Sequence, residues 1–212
     1  MKVNNILYFS KLENRFIKDW LKIGTFSGIQ IFLDNFIYAV MVCKMVNAVS
    51  ESGNYWIANN FIYGWLLVPV TCLCEIIKKN NYKKLTFQNT WKYMCIIFGF
   101  WIISSPFWSF FIKDVLKQDS KTILSILCIL VPFYIFYTIA IFIDSYFISK
   151  GKTIYNTISS LIINIVYYGI VYILFKLNIF QLNIKFIIFM FGFGMLVHCM
   201  LSIGLYKHEQ KK

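Results

Sequence analysis

The chain has 212 residues, of which 59% are hydrophobic and only 14% are charged, whereas a soluble domain of this size carries roughly 25% charged residues. So few polar side chains cannot cover a water-soluble globule. The net charge of +12 comes from basic residues at the ends of hydrophobic runs, which indicates membrane orientation rather than nucleic-acid binding. Several of these runs are about twenty residues long, the length of a helix that crosses a bilayer. We therefore predict an all-α membrane protein whose partner is the lipid bilayer, with no nucleic acid bound.

The predicted elements are a polar lead, six membrane helices and a short tail. Residues 1–18 form the lead, and segment 11–20 mixes basic residues with Phe16 and Trp20, as is typical of a short amphipathic helix at a membrane surface. Residues 19–206 form one transmembrane domain, and residues 207–212 form the tail. The six helices are predicted at 20–43, 55–77, 92–112, 122–148, 155–175 and 184–206.

The 21 Lys and Arg residues are distributed unevenly between the two sides of this predicted bundle. Fifteen lie in the lead and the start of the first helix, in the second and fourth connections, and in the tail, whereas six lie in the other connections. Because Lys and Arg accumulate in cytoplasmic loops, this split predicts that both termini are cytoplasmic. An even number of spans agrees with that orientation.

Prolines and glycines interrupt the hydrophobic runs. Pro69, Pro106 and Pro132 fall in the second, third and fourth helices, where each removes a backbone hydrogen bond and is expected to kink its helix. Gly192 and Gly194 in the sixth helix are expected to let a neighbouring helix approach closely. Kinked helices are common in transporters, but they also occur in membrane proteins that transport nothing.

Asp34 is the main candidate for a functional residue. An ionisable side chain at mid-membrane costs free energy, so its presence there indicates a function. It lies midway along the first helix, with Gln30 one turn before it and Tyr38 one turn after it. This polar stripe has to face the protein interior or a water-filled cavity. One interpretation is a cation or proton site, and the other is a structural hydrogen bond to a neighbouring helix.

The second helix carries a polar group near its outer end. Asn59 and Asn60 are adjacent amides that need hydrogen-bond partners inside hydrocarbon, which makes them binding candidates. Trp56, Asn60 and Tyr63 share a face, and Trp56 is interpreted as an interfacial anchor.

The fourth, fifth and sixth helices add three polar positions. Asp144 lies two turns inside the end of the fourth helix, where it either pairs with Lys150 or Lys152 or takes part in gating or coupling. Asn164 is a further binding candidate in the fifth helix. His198 in the sixth helix is interpreted as structural.

No catalytic constellation is found in the sequence, so we do not expect an enzyme. The chain lacks HExxH, a paired-carboxylate site, a glycine-rich phosphate loop and GxSxG. The six cysteines include no CxxC pair and are interpreted as packing residues, so neither a disulfide framework nor a metal site or other cofactor is expected.

Four stretches resemble a known pattern: LKIGTFSGIQIFLDNF, MVNAVSESGNYWIANNFIYGWLLVPVTCLCEIIKKN, FIDSYFISKGKT and NIVYYGIVYILFKLNIF. Together they are similar to the C-terminal half of a bacterial multidrug and toxic compound extrusion (MATE) transporter, in a clostridial-type branch of sodium-driven efflux proteins. The resemblance implies one six-helix lobe of a two-lobe antiporter in the bacterial cytoplasmic membrane. It also implies sodium or a proton as the coupling ion, small organic substrates, and a second lobe supplied by another chain or by a homodimer.

The chain departs from that family pattern at its acidic residues. In the similar branch the position of Asp34 is more often basic, and the acid of the fourth helix lies near Thr138 or Ile139 rather than at Asp144. The family's usual carboxylates are therefore not transferred to this chain. The prediction that Asp34 is a functional residue therefore rests only on its position in the first helix, beside Gln30 and Tyr38.

Two other functions stay open beside a half-size or split transporter. Six helices also fit the substrate-binding subunit of a vitamin importer, which needs a polar pocket near the outer face, around Asn59 and Asn60, and energising partner subunits. A scaffold protein or an inactive transporter fragment needs no role for Asp34.

Overall fold

The structure is a computed structural model that describes residues 14–50, 52–79 and 87–211. Every regular element within these ranges is a helix, as required of a chain that satisfies its backbone hydrogen bonds inside hydrocarbon. The α-helices are Asn14–Ile37, Cys43–Asn47, Ser52–Phe61, Val68–Lys79, Phe87–Phe110, Ser120–Ser149, Ile154–Leu161, Gly169–Lys176 and Ile184–Gln210. Turns of π-helix occupy Tyr38–Val42, Ile62–Leu66, Phe111–Val115 and Ile162–Tyr168.

In the described part of the chain, five helices are long and hydrophobic enough to cross a membrane, and a bent helix pair makes a sixth if its two halves form one span. The five are span 1 (Trp20–Asn47), span 3 (Asn89–Val115), span 4 (Ser120–Ser149), span 5 (Ile154–Lys176) and span 6 (Ile184–Gln210). Span 2 consists of Ser52–Leu66 and Val68–Lys79. The predicted all-α membrane bundle is confirmed, with boundaries within about one helical turn of those expected.

The N-terminal lead differs from the prediction in its described part. Within the described residues, one helix runs without a break from Asn14 through Trp20 to Ile37. Residues 14–20 therefore belong to the same continuous helix as the start of span 1, and the position of the lead at a membrane surface stays a prediction. Residues 1–13 lie outside the described residues.

Pro69 coincides with a sharp bend in span 2. The two halves of the span meet at Leu67 with an angle of 51° between them. The Leu67 amide donates to the Ile62 carbonyl at 2.9 Å, which closes a π-type turn just before the proline. Proline lacks the amide hydrogen and displaces the carbonyl four residues earlier, which is why the break occurs here. Pro106 and Pro132 lie inside helices that continue past them.

Span 4 is the central element of the bundle. It packs along span 6 and also contacts spans 2, 3 and 5, while span 1 packs mainly against span 5. Two hydroxyl groups join span 5 to span 1, since Thr157 donates to the Phe26 carbonyl at 2.8 Å and Thr153 donates to the Ile23 carbonyl at 3.2 Å. This arrangement leaves a space between spans 1 and 5 on one side and spans 2 and 4 on the other.

Asp119 caps the start of span 4. Its carboxylate accepts hydrogen bonds from the backbone amide of Lys121 at 3.1 Å and from the amide and hydroxyl of Thr122. The Thr122 hydroxyl bond and then these amides lower the pKa of Asp119 below its ordinary value. An aspartate at this position satisfies amide groups that the first helical turn leaves unpaired.

The two glycines of span 6 lie at close helix contacts, as predicted. A Cβ atom at Gly192 would lie 2.5 Å from the ring of Phe133 on span 4, and one at Gly194 would lie 2.6 Å from the Tyr168 hydroxyl on span 5. The Phe133 ring also contacts Phe189 and Phe193, so it has little room to move away. The contact between spans 4 and 6 therefore depends on the absence of a side chain at residue 192.

Gly192→Ala is expected to lower the free energy of unfolding by about 1–3 kcal/mol, because the added methyl group overlaps the Phe133 ring. Gly204→Ala on the same helix is the matched control, since no atom lies within 4 Å of a Cβ there. Thermal unfolding of the two variants in detergent measures the difference. Equal melting temperatures would contradict the close contact.

Candidate functional site

A cavity of about 560 Å³ lies between the spans. All seven binding candidates from the sequence line it: Gln30, Asp34, Tyr38, Asn59, Asn60, Asp144 and Asn164. They come from spans 1, 2, 4 and 5, and span 6 supplies part of the remaining wall. The structure thus brings the candidates together at one place, while their role in binding stays a prediction.

Asp34 is held by span 5. Its Oδ1 atom accepts hydrogen bonds from the Ser160 hydroxyl at 2.7 Å and from the Asn164 amide at 2.6 Å. The Asn164 amide also contacts the Ser160 hydroxyl at 3.1 Å. Asp34 is exposed to the cavity, and no described residue donates to its Oδ2 atom. Both interpretations of Asp34 are therefore compatible with its geometry, because one oxygen makes structural bonds and the other is available to a ligand.

Asp144 pairs with span 6 and not with Lys152. Its Oδ2 atom lies 2.9 Å from His198 Nε2, and its Oδ1 atom accepts a hydrogen bond from the Ser202 hydroxyl at 3.0 Å. Lys152 instead forms an ion pair with Glu209. The proposed lysine pairing of Asp144 is incorrect for Lys152, because the contact between spans 4 and 6 brings His198 closer than the end of the helix brings the lysine.

A row of polar residues runs along one face of span 5. Asn156, Ser160 and Asn164 are spaced four residues apart, and all three line the cavity. Asn156 donates from its amide to the backbone carbonyl of Asp144 at 3.0 Å. Its Oδ1 atom is buried and has no hydrogen-bond partner among the described residues. The row therefore connects the backbone carbonyl of Asp144 at one end with the carboxylate of Asp34 at the other.

Sequence reasoning missed Asn156, Ser160 and Ser202, and it gave His198 only a structural role. The row in span 5 has the same spacing of four residues as the stripe around Asp34, so that pattern was a usable signal. Ser202 and His198 also lie four residues apart on span 6. No local pattern shows that this pair meets Asp144, since the contact depends on how spans 4 and 6 pack.

Six tyrosines form much of the cavity wall: Tyr38, Tyr55, Tyr63, Tyr134, Tyr137 and Tyr168. The Tyr63 and Tyr134 rings are 6.1 Å apart, and the Tyr134 and Tyr137 rings are 5.6 Å apart. The Tyr134 hydroxyl donates to Asn59 Oδ1 at 3.0 Å, which gives that amide a partner. These rings present both aromatic faces and hydroxyl groups to the cavity.

Trp56 lies beside the cavity wall rather than in the wall itself. Its indole donates to Asn47 Oδ1 at 3.1 Å, and its ring packs edge-on against Tyr38 and Tyr55. It is therefore fixed to the end of span 1, and its role as a membrane anchor stays a prediction.

The cavity wall carries two acidic residues. Asp34 and Asp144 line it together with one histidine, and no Lys or Arg is present among the described residues that line it. Ionised carboxylates in a cavity attract cations. The tyrosine faces add attraction for a cation through their ring quadrupoles.

Comparison of the chain with protein-family models, with curated proteins and with solved structures finds no match. The fold and the cavity define the chain as a multi-pass helical membrane protein. Its resemblance to one transporter family remains an expectation.

Ser160→Ala is expected to destabilise the protein by about 1 kcal/mol, because it removes a hydroxyl donor from the Asp34 carboxylate. Ser159→Ala is the matched control, since the Ser159 hydroxyl is buried without a partner among the described residues, and its removal is expected to be neutral or stabilising. Unfolding in detergent compares the two variants. Equal destabilisation would show that the Asp34 contact contributes nothing.

Proposed function

We propose that this chain is one lobe of a cation-coupled transporter of the MATE type, which moves organic cations out of a bacterial cell in exchange for sodium or protons. The observation that carries the proposal is the acidic, tyrosine-lined cavity at membrane depth, to which Asp34 and Asp144 both contribute. A purely structural bundle has no need of an open polar cavity, which costs packing energy and leaves polar groups unpaired.

The chemistry of the wall favours a bulky organic cation as the transported compound. The two carboxylates supply the charge, and the tyrosine rings supply flat surfaces on which a hydrophobic cation can stack. A cavity of about 560 Å³ falls within the size range of small-molecule sites, roughly 300–1,000 Å³. A small inorganic ion alone does not account for so large an aromatic surface.

Exposed polar groups on span 1 support a second lobe as partner. Asp34 and Asn35 are both exposed although they lie at mid-span, and Gln30 is half-buried. All three line the cavity, and the Asn35 amide donates to the Ile31 carbonyl at 2.8 Å. Their remaining polar atoms face protein or water rather than lipid, because unpaired polar groups in hydrocarbon cost several kcal/mol. We propose that six further helices, from another chain or a second copy, cover this side of the cavity. Both termini would then be cytoplasmic, as the basic residues indicate.

Coupling follows if the ion and the organic cation use the same negative charge. Binding of either one stabilises the conformation with the greater affinity for it, and release on the other side of the membrane completes the exchange. Three of the four π-helical turns contain cavity residues, namely Tyr38, Tyr63 and Asn164. Turns of this kind are frequent at functional sites.

The substrate-binding subunit of an importer is the second candidate. It is favoured by Asn59 and Asn60, which both line the cavity and offer amide groups to a neutral ligand. The two functions differ in the ligand they require, because an importer subunit would bind a neutral vitamin tightly as a single chain. Retention of a neutral ligand with no response to an imposed ion gradient would support the importer over the transporter lobe.

Asp34→Asn is expected to weaken binding of tetraphenylphosphonium at least about tenfold, because it removes one of the two cavity carboxylates while preserving side-chain shape. Asp114→Asn is the matched control, since Asp114 is an exposed carboxylate outside the cavity wall. Equilibrium dialysis with the purified protein measures the affinity, and uptake into proteoliposomes under sodium or proton gradients measures coupling. Unchanged binding and coupling in the Asp34 variant would remove the basis of the proposal.

Tyr63→Leu is expected to reduce affinity for the same cation about two- to fivefold, since a cation–π contact contributes about 0.5–1 kcal/mol at a partly exposed site. Trp65→Leu is the control, because Trp65 is two residues away and similarly exposed, but lies outside the cavity wall and packs on Phe100. The same dialysis measurement compares them. A larger loss for Trp65→Leu would place the cation elsewhere.

A further inference from the structure

His198 and Asp144 make a close polar contact inside the bundle. The imidazole Nε2 atom lies 2.9 Å from the carboxylate, and the two side chains are only 20% and 12% exposed. Ser202 donates to the other carboxylate oxygen at 3.0 Å. Both His198 and Asp144 line the cavity that contains Asp34. The pair therefore faces the same cavity as the candidate cation site.

The His198 imidazole can take up a proton and still keep its hydrogen bond to Asp144. When its hydrogen is on Nε2, the neutral ring donates that hydrogen to the Asp144 carboxylate, and Nδ1 is the remaining basic atom. A hydronium ion in the cavity then transfers its proton to Nδ1, which leaves a water molecule and gives an imidazolium beside a carboxylate. Histidine is the side chain whose ordinary titration range includes neutral pH.

We propose that His198 and Asp144 form a proton-binding site, and that the proton they hold competes with an organic cation bound at Asp34. The identity of the second ligand rests on the proposed function, whereas the proton site itself does not. When both carboxylates are ionised and the imidazole is neutral, the formal charge of the cavity wall is −2. With an imidazolium, the charge falls to −1, and the attraction for a second cation falls with it.

Because the effect is reciprocal, competition between the proton and the organic cation can drive their exchange. If a proton on His198 weakens cation binding by some factor, the bound cation weakens proton binding by the same factor. Entry of a proton therefore favours release of the organic cation, and entry of the cation favours release of the proton. A proton, rather than sodium, is then the coupling ion at this pair.

The groups around the pair leave the imidazole as the one expected to change charge near neutral pH. Tyr137 approaches from span 4, Cys199 from span 6, Cys74 from span 2 and Asp34 from across the cavity. Ordinary thiols and phenols ionise above neutral pH, at about 8.5 and about 10, whereas ordinary aspartates ionise near 4.

Asn156 provides an independent indication of a proton-donating ligand. Its amide is bonded to the Asp144 carbonyl, and its side-chain oxygen is a buried acceptor that no described residue satisfies. Buried acceptors of this kind are normally paired with a water molecule or a bound group.

The test uses the two histidines of the chain in one sample. Protein labelled with ¹⁵N-histidine is titrated by NMR in nanodiscs, with and without saturating tetraphenylphosphonium, and His208→Gln assigns the signals. His208 is exposed near the C-terminus and serves as the internal reference. Across about pH 5 to pH 9, we expect the His198 signals to change with pH, and the midpoint of that change to move to lower pH by about 0.5–1 unit when the cation is bound. The His208 signals are expected not to respond to the cation.

Binding measurements with variants give the second readout. Wild-type affinity for tetraphenylphosphonium is expected to fall about three- to tenfold between pH 8 and pH 5.5, and His208→Gln is expected to keep this dependence. His198→Gln is expected to abolish it. If the His198 signal does not change with pH in this range, the proton site is wrong. If the signal changes with pH but its midpoint is the same with and without the cation, the competition is wrong. If the cation does not bind at all, the proposed function and the competition both fail, and the titration of His198 alone decides the proton site.

Discussion

The placement of charged side chains inside hydrocarbon is the constraint on which this structure depends. Each carboxylate within a membrane span has to find donors on another helix, because lipid offers none. Asp34 finds them on span 5, and Asp144 finds them on span 6. Those two sets of bonds connect spans 1, 4, 5 and 6, and they leave the second oxygen of Asp34 in a shared cavity. The candidate site therefore results from the hydrogen bonds that neighbouring helices make to the two acidic side chains.

The shape of the cavity follows from departures from a regular helix. The bend before Pro69 divides span 2, and the π-helical turns in spans 1, 2 and 5 change the direction of the side chains that follow them. The close approach of Phe133 to Gly192 brings spans 4 and 6 together, which in turn brings His198 to Asp144. Small residues and helix irregularities thus position the polar groups, while the hydrophobic residues supply the surrounding surface.

Much of the fold was predictable because the signals are local. A hydrophobic run of about twenty residues specifies a membrane helix regardless of its neighbours, so the limits of the spans agree with the structure. The polar stripe around Asp34 was equally local, since residues four apart share a helix face. The short helix expected at 11–20 is continuous with span 1 from Asn14 onward, because a polar composition does not show whether a helix stops before it enters the membrane.

The sequence by itself determined the membrane class, the limits of the long hydrophobic helices, and which polar residues need partners inside hydrocarbon. Only the tertiary structure decided that these residues meet in one cavity, that Asp144 pairs with His198, and that Asn156 and Ser160 belong to the same site. The physical reason is that lipid tails and protein interiors are equally apolar, so a hydrophobic face does not reveal which helix it contacts. Helix partners are selected by close packing and by hydrogen bonds between distant residues, and neither has a local pattern in the chain.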